Sequence, residues 1–126
     1  MGILAAHSPI TFIMTSDRAR SKAFYIDKLG LTLVAEDPFA ATFDLNGVPL
    51  RLSDTGPFTP APHTIMGWQT NDIETKVREL TERGVKFEIY EGFGQDELGI
   101  WSAPGGSAKV AWFLDPDGNN LSLTQS

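Results

Sequence analysis

Arg51, Gln69 and Ser122 are polar residues set into otherwise apolar, strand-like runs, namely Val48-Pro-Leu-Arg-Leu52, Ile65-Met-Gly-Trp-Gln69 and Leu121-Ser-Leu123. A guanidinium offers five donors in a planar fork, a carboxamide both donates and accepts, and a hydroxyl does the same on a smaller scale. Such groups orient a small molecule among apolar walls. Metal chemistry has fewer candidates. His7 and His63 are the two histidines, both close to a proline at a strand edge, and the chain has no cysteine. By alternation His63 shares a face with Ile65, whereas His7 lies on the face opposite to Ile10. A site built on two histidines needs at least one carboxylate nearby, and no Asp or Glu falls at an inward strand position. Asp115 and Asp117 belong to the turn Asp115-Pro-Asp-Gly118, where Asp serves the backbone. There is no Ser/His/Asp arrangement, no glycine-rich phosphate loop and no paired-carboxylate site.

Composition bounds the partners. The 126 residues carry a net charge of −6, with 41% hydrophobic and 21% charged residues. This suits one soluble domain, 1–126, with a core of its own. Nucleic acid and anionic membrane are excluded as partners, because both need clustered Lys and Arg. The run Ile3-Leu-Ala-Ala6 is too short for a signal peptide or a membrane span. Met1-Gly2 opens like an acylation signal, but Ala6 stands where Ser or Thr is required. The default compartment is the cytoplasm.

The elements that must position these residues occur twice. Ile10-Thr-Phe-Ile-Met-Thr-Ser-Asp17 has the form of Ile65-Met-Gly-Trp-Gln-Thr-Asn-Asp72, 55 positions later. Each is a short strand ending on a helix-capping Asp. The first helix has an apolar stripe of Ala19, Ala23, Phe24, Ile26 and Leu29 and stops at Gly30. The second has Ile73, Val77 and Leu80 and stops at Gly84. Strands are predicted over 31–34, 40–45 and 48–52 in the first half, and over 85–90, 109–114 and 121–124 in the second. Asn46-Gly47 and Asp117-Gly118 mark the last turn of each half. Repeat one thus covers about 9–53, the proline-rich linker 54–62, and repeat two about 63–124. The offset grows to 71 at the end of the repeat, so repeat two holds 16 extra residues. They fall mostly between Glu91 and Ser107, where Leu98, Ile100 and Trp101 amid glycines form a candidate lid, cavity wall or twisted hairpin.

The segments "SDRARSKAFYIDKLGL", "NDIETKVRELTERGVKF" and "FLDPDGNNLSL", in this order on a β-α-β-β-β repeat, resemble the vicinal oxygen chelate superfamily, which includes glyoxalase I, bleomycin-resistance proteins and extradiol dioxygenases. The resemblance runs from about Pro9 to Leu123. It implies an α+β fold in which two β-α-β-β-β repeats curl into an open eight-stranded cup with the helices outside, commonly as a homodimer. It also implies four metal-ligating places, which in this chain are Ile10, Arg51, Ile65 and Ser122. Isoleucine has no donor atom, a guanidinium repels a cation, and a lone serine is a weak neutral ligand. The expectation is therefore no metal and no cofactor.

Alternation from Ile10 and Ile65 puts Ile10, Phe12, Met14, Ile65, Gly67 and Gln69 on the cup face, and Thr11, Ile13, Met66 and Trp68 against the helices. Arg51 is expected either to take an anionic ligand or to reach the cup mouth and pair with an acid. Trp101 and Trp112 are expected either to stack a planar ligand or to fill core or dimer contacts. The leading expectation is a metal-free homodimer that holds a small apolar or aromatic molecule, anionic if Arg51 reaches it, on Arg51, Ser122, Gln69, Ile10, Phe12, Met14, Ile65, Trp101 and Trp112. The alternatives are a glyoxalase-like lyase, isomerase or dioxygenase, with a displaced metal or with Arg51 as electrophile, and a structural dimer without ligand.

Overall fold

The computed structural model describes residues 2–126. The chain divides into two compact units, the first ending at Phe58 and the second beginning at Thr59.

In the first unit, β1 (Thr11–Thr15), β2 (Thr32–Glu36), β3 (Ala40–Leu45) and β4 (Val48–Asp54) form one sheet in the order β1-β4-β3-β2. β1 runs parallel to β4 and the other pairs are antiparallel. Asn46 and Gly47, with φ of 53° and 95°, make the two-residue turn between β3 and β4, the conformation that matches the twist of a hairpin. The helix α1 (Arg18–Ala23) starts at Asp17, whose Oδ1 accepts from the Arg20 N–H at 3.1 Å, which satisfies one orphan donor of the first turn.

Ala19 and Ala23, expected in the apolar stripe, are exposed. A wider π-helical turn follows over Phe24–Lys28. Of the expected stripe Phe24 is buried and Ile26 and Leu29 are half-buried, while Ser21 and Tyr25, outside it, are buried as well. Tyr25 meets Phe24 edge-on at 5.4 Å and Phe43 of β3 at 5.9 Å. Ser21 Oγ shares a buried 2.8 Å hydrogen bond with Thr15 Oγ1. Ile13, Phe43, Leu50 and Leu52 complete this core.

In the second unit, β5 (Thr64–Gln69), β6 (Trp101–Ser102), β7 (Lys109–Leu114) and β8 (Asn120–Gln125) form a sheet in the order β5-β8-β7-β6, with β5 parallel to β8. The helix α2 (Ile73–Glu82) is capped by Asp72, which accepts from the Thr75 N–H and hydroxyl at 3.2 and 2.7 Å. Gln125 Oε1 takes the Ile73 N–H at 2.8 Å. Ile73 and Val77 are buried and Leu80 half-buried. Beneath the helix, Phe113 stacks on Trp68 at 6.3 Å and meets Phe87 at 5.4 Å, beside Ala111, Leu121 and Leu123. Asp115 organises the β7–β8 turn: its Oδ1 accepts from the Asp117 and Asn119 N–H groups, each at 2.9 Å.

The strand expected over 85–90 is reduced to a single bridge between Phe87 and Phe113 and one further bond, from the Glu88 N–H to the Trp112 carbonyl at 2.8 Å. Regular pairing at this edge resumes only with Trp101 and Ser102, opposite Val110 and Lys109. The extra residues of repeat two therefore split an edge strand. The Gln95 carboxamide replaces part of the lost ladder: it accepts from the Tyr90 N–H at 2.7 Å and donates to the Glu88 and Gly99 carbonyls at 2.9 and 2.7 Å. Of the expected lid residues, Ile100 is buried and Leu98 half-buried.

Candidate functional site

In each unit one sheet face carries the apolar residues of the core and packs on the helix. The residues that alternate with them point to the opposite face. On the first sheet, register sets Phe12 beside Arg51 and Arg51 beside Thr42. Phe12 is 59% exposed and Met14 is exposed as well. Ile10 lies before the start of β1 and is also exposed.

Arg51 is paired. Its Nη2 donates to Asp37 Oδ2 at 2.9 Å and its Nη1 to Thr42 Oγ1 at 3.3 Å. The other oxygen of Asp37 accepts from the Phe39 and Ala40 N–H groups at 2.7 and 3.0 Å. These bonds, the one from Phe39 foremost and then that from Arg51, hold the Asp37 carboxyl below its ordinary pKa by favouring the charged form. The guanidinium therefore faces a carboxylate that stays ionised in neutral solution.

The second sheet presents a different face. Gly67 of β5, Ser122 of β8 and Trp112 of β7 lie in one cross-strand row. Gln69, Thr124, Val110 and Trp101 form the next. Four rings gather here. Trp112 meets Tyr90 at 5.5 Å and Phe93 at 5.8 Å between centroids, both edge to face, and Trp101 at 6.4 Å in a tilted arrangement, while Phe93 meets Tyr90, also tilted, at 5.5 Å. The two edge-to-face contacts of Trp112 follow from the ring quadrupole. Phe93 is 49% exposed despite its neighbours. The Tyr90 hydroxyl accepts from Asn120 Nδ2 at 3.0 Å, and Asn120 Oδ1 accepts from the Thr64 hydroxyl at 2.8 Å.

Ser122 is 6% exposed. Its hydroxyl has no hydrogen-bond partner among the described residues, yet the oxygen is not sealed from solvent. Gly67 explains the room available to it: a Cβ on Gly67 would lie 2.5 Å from Ser122 Oγ and 2.8 Å from the Ser122 carbonyl oxygen. Only a residue without a side chain permits this approach.

Of the residues singled out in the sequence, Ser122, Trp101 and Trp112 thus share one face of the second sheet. Gln69 is on that face but exposed, donating to Ser126 Oγ at 3.1 Å. Ile65 falls at a bulge in the β5–β8 pairing. Tyr90, Phe93 and Asn120 were not foreseen. Tyr90 read as an ordinary strand residue, while Phe93, set between Gly92 and Gly94, was the available signal of an aromatic held at a loop tip.

The sequence model of the Glyoxalase/Bleomycin resistance protein/Dioxygenase superfamily matches residues 7–123. The chain belongs to this superfamily. Solved structures agree. A member of the glyoxalase/bleomycin resistance protein/dioxygenase superfamily from Sphaerobacter thermophilus DSM 20745 is 27% identical over 98% of this chain and 100% of its own, with a TM-score of 0.74. A glyoxalase/bleomycin resistance protein/dioxygenase from Nocardioides is 22% identical over 98% and 86%, with a TM-score of 0.71. A lactoylglutathione lyase from Agrobacterium tumefaciens is 18% identical over 97% and 96%, with a TM-score of 0.68. The last two show the fold alone. Among curated proteins none matches significantly.

The metal implied by the superfamily does not fit these side chains. Arg51, at one of the four places, brings a cation already engaged by Asp37, and Ile10 and Ile65 bring no donor. Among the described residues no group of three or more His, Cys, Asp or Glu is placed to hold a metal ion. His7 and His63 are both exposed. Nor does any described helix have the length and apolar character needed to cross a membrane.

Proposed function

We propose that this superfamily member binds a small, ring-containing organic molecule on the aromatic face of its second sheet, without a metal ion. The observation that carries the reading is the grouping of Trp112, Trp101, Tyr90 and Phe93 beside Ser122, which stands directly across from Trp112 with its hydroxyl unpartnered among the described residues. Aromatic walls with a few oriented polar groups are the composition of a small-molecule site. Trp112, which contacts the other three rings, is the stacking platform. Phe93 is the wall that gives way, since it is half-exposed at a loop tip. Arg51 takes no part as an anion receptor, because Asp37 already occupies it.

Equilibrium dialysis with bicyclic aromatic probes tests the reading. Coumarin at millimolar concentration is expected to bind the wild-type protein and to bind at least about tenfold more weakly to Trp112→Leu, a loss on the scale of one stacked ring. Circular dichroism establishes that the variant is folded. Failure of the wild type to bind, or unchanged binding by the variant, overturns the reading.

A further inference from the structure

We infer that the ligand of the aromatic face is a planar molecule that carries no negative charge and bears a hydrogen-bond acceptor, read by the Ser122 hydroxyl. The inference rests on the binding function proposed above and narrows its ligand class.

The hydrogen-bonding inventory of the face is one-sided. The Tyr90 oxygen already accepts from Asn120, and the Asn120 oxygen already accepts from Thr64. The Tyr90 and Ser122 hydroxyl protons have no acceptor among the described residues, nor have the indole N–H groups of Trp101 and Trp112. Neither the Ser122 hydroxyl nor the two indole N–H groups, which have no partner, is sealed away from solvent. Ser122 is the most enclosed of them, 6% exposed and flanked by Gly67 and Trp112. A ring lying on Trp112 brings its edge towards the residue directly across the strand, because opposed residues on one sheet face stand about 5 Å apart at Cβ. A carbonyl or ether oxygen on that edge takes the Ser122 proton. A ring without an acceptor leaves it unmade.

Charge points the same way. None of the residues of β5, β6, β7 and β8 that alternate onto this face is cationic; Lys109 follows the opposite parity, opposite Gln125, and Lys86, on the irregular edge before the Phe87–Phe113 bridge, is exposed to solvent. The acid Glu88 is bonded through its N–H to Trp112, and the chain as a whole carries −6. A carboxylate placed on the row of Ser122 and Trp112 meets no counter-charge on the paired strands, and desolvating it is unfavourable.

Three bicyclic probes separate these elements when their dissociation constants are measured by equilibrium dialysis. Coumarin is planar, uncharged and bears a lactone carbonyl; naphthalene lacks the acceptor; 2-naphthoate carries the negative charge. Coumarin is expected to bind about fivefold more tightly than naphthalene and at least about tenfold more tightly than 2-naphthoate. Ser122→Ala, with its folding followed by circular dichroism, is expected to abolish the difference between coumarin and naphthalene while leaving naphthalene unchanged. If 2-naphthoate binds as well as coumarin, or if Ser122→Ala preserves the coumarin preference, the inference is wrong and the binding face still stands. If no probe binds the wild type, the proposed function falls and this inference with it.

Discussion

Gly67 and Ser122 form a pair in which the absence of one side chain makes room for the other. A methyl group added at Gly67 meets backbone as well as side-chain atoms of Ser122, and backbone cannot move aside. Gly67→Ala is therefore expected to destabilise the protein by about 1–3 kcal/mol, the range for overpacking, as measured by urea denaturation. Removing the Ser122 hydroxyl in the same chain should restore little of this, because the carbonyl contact remains. A Gly67→Ala protein as stable as wild type would disprove the close packing. Arg51 offers a contrast. Its side chain is 27% exposed, so the pair with Asp37 is partly screened by water, and Arg51→Met is expected to change stability by less than about 1 kcal/mol. A loss of several kcal/mol would mean that the pair is structural.

At the scale of elements, the split edge strand decides what the second sheet displays. Gln95 closes the loop over 91–94 by bonding Tyr90, Glu88 and Gly99, and Phe93 projects from that loop onto Trp112. Gln95→Ala is expected to cost about 2 kcal/mol for the lost bonds. It should also speed exchange of the Tyr90 amide by at least tenfold, with the amides of α2 unaffected. Uniform acceleration throughout the unit would instead indicate global destabilisation. The repeats, helix caps and hairpin turns were legible in the sequence because each rests on a local rule: Asp17 and Asp72 cap, Asn46-Gly47 turns, and alternation separates Met66 and Trp68 from Gly67 and Gln69. Two features escaped for one physical reason. The π-helical turn over Phe24–Lys28, and the side-chain bonds by which Gln95 replaces a strand ladder, both depend on partners that no local pattern names. The aromatic site inherits that limit. Trp101, Trp112 and Ser122 lie on strands whose alternation could be read, whereas Tyr90 and Phe93 reach them from a segment whose course is set by Gln95.

Across the whole molecule, the ionised groups with shifted pKa values govern the response to acid. Hydrogen bonding to Lys22 holds the Glu36 carboxyl low, the Phe39 N–H does so for Asp37, and Thr75 does so for Asp72. A carboxylate whose pKa is depressed by folding stabilises the protein above its unfolded pKa, and that contribution is lost as pH falls through the folded value. The urea midpoint is thus expected to hold down to about pH 5 and to drop below about pH 4, where free carboxylates titrate. A midpoint that rises on acidification would contradict these assignments. The account as a whole rests on one surface, the ring cluster around Trp112, and the three tryptophans report on it separately. In a nitrogen-15 correlation spectrum, titration with coumarin should shift the indole N–H signals of Trp101 and Trp112 progressively and leave that of Trp68, stacked on Phe113 beneath the sheet, in place. No movement of the first two at millimolar coumarin, or movement of Trp68 alone, would contradict the account.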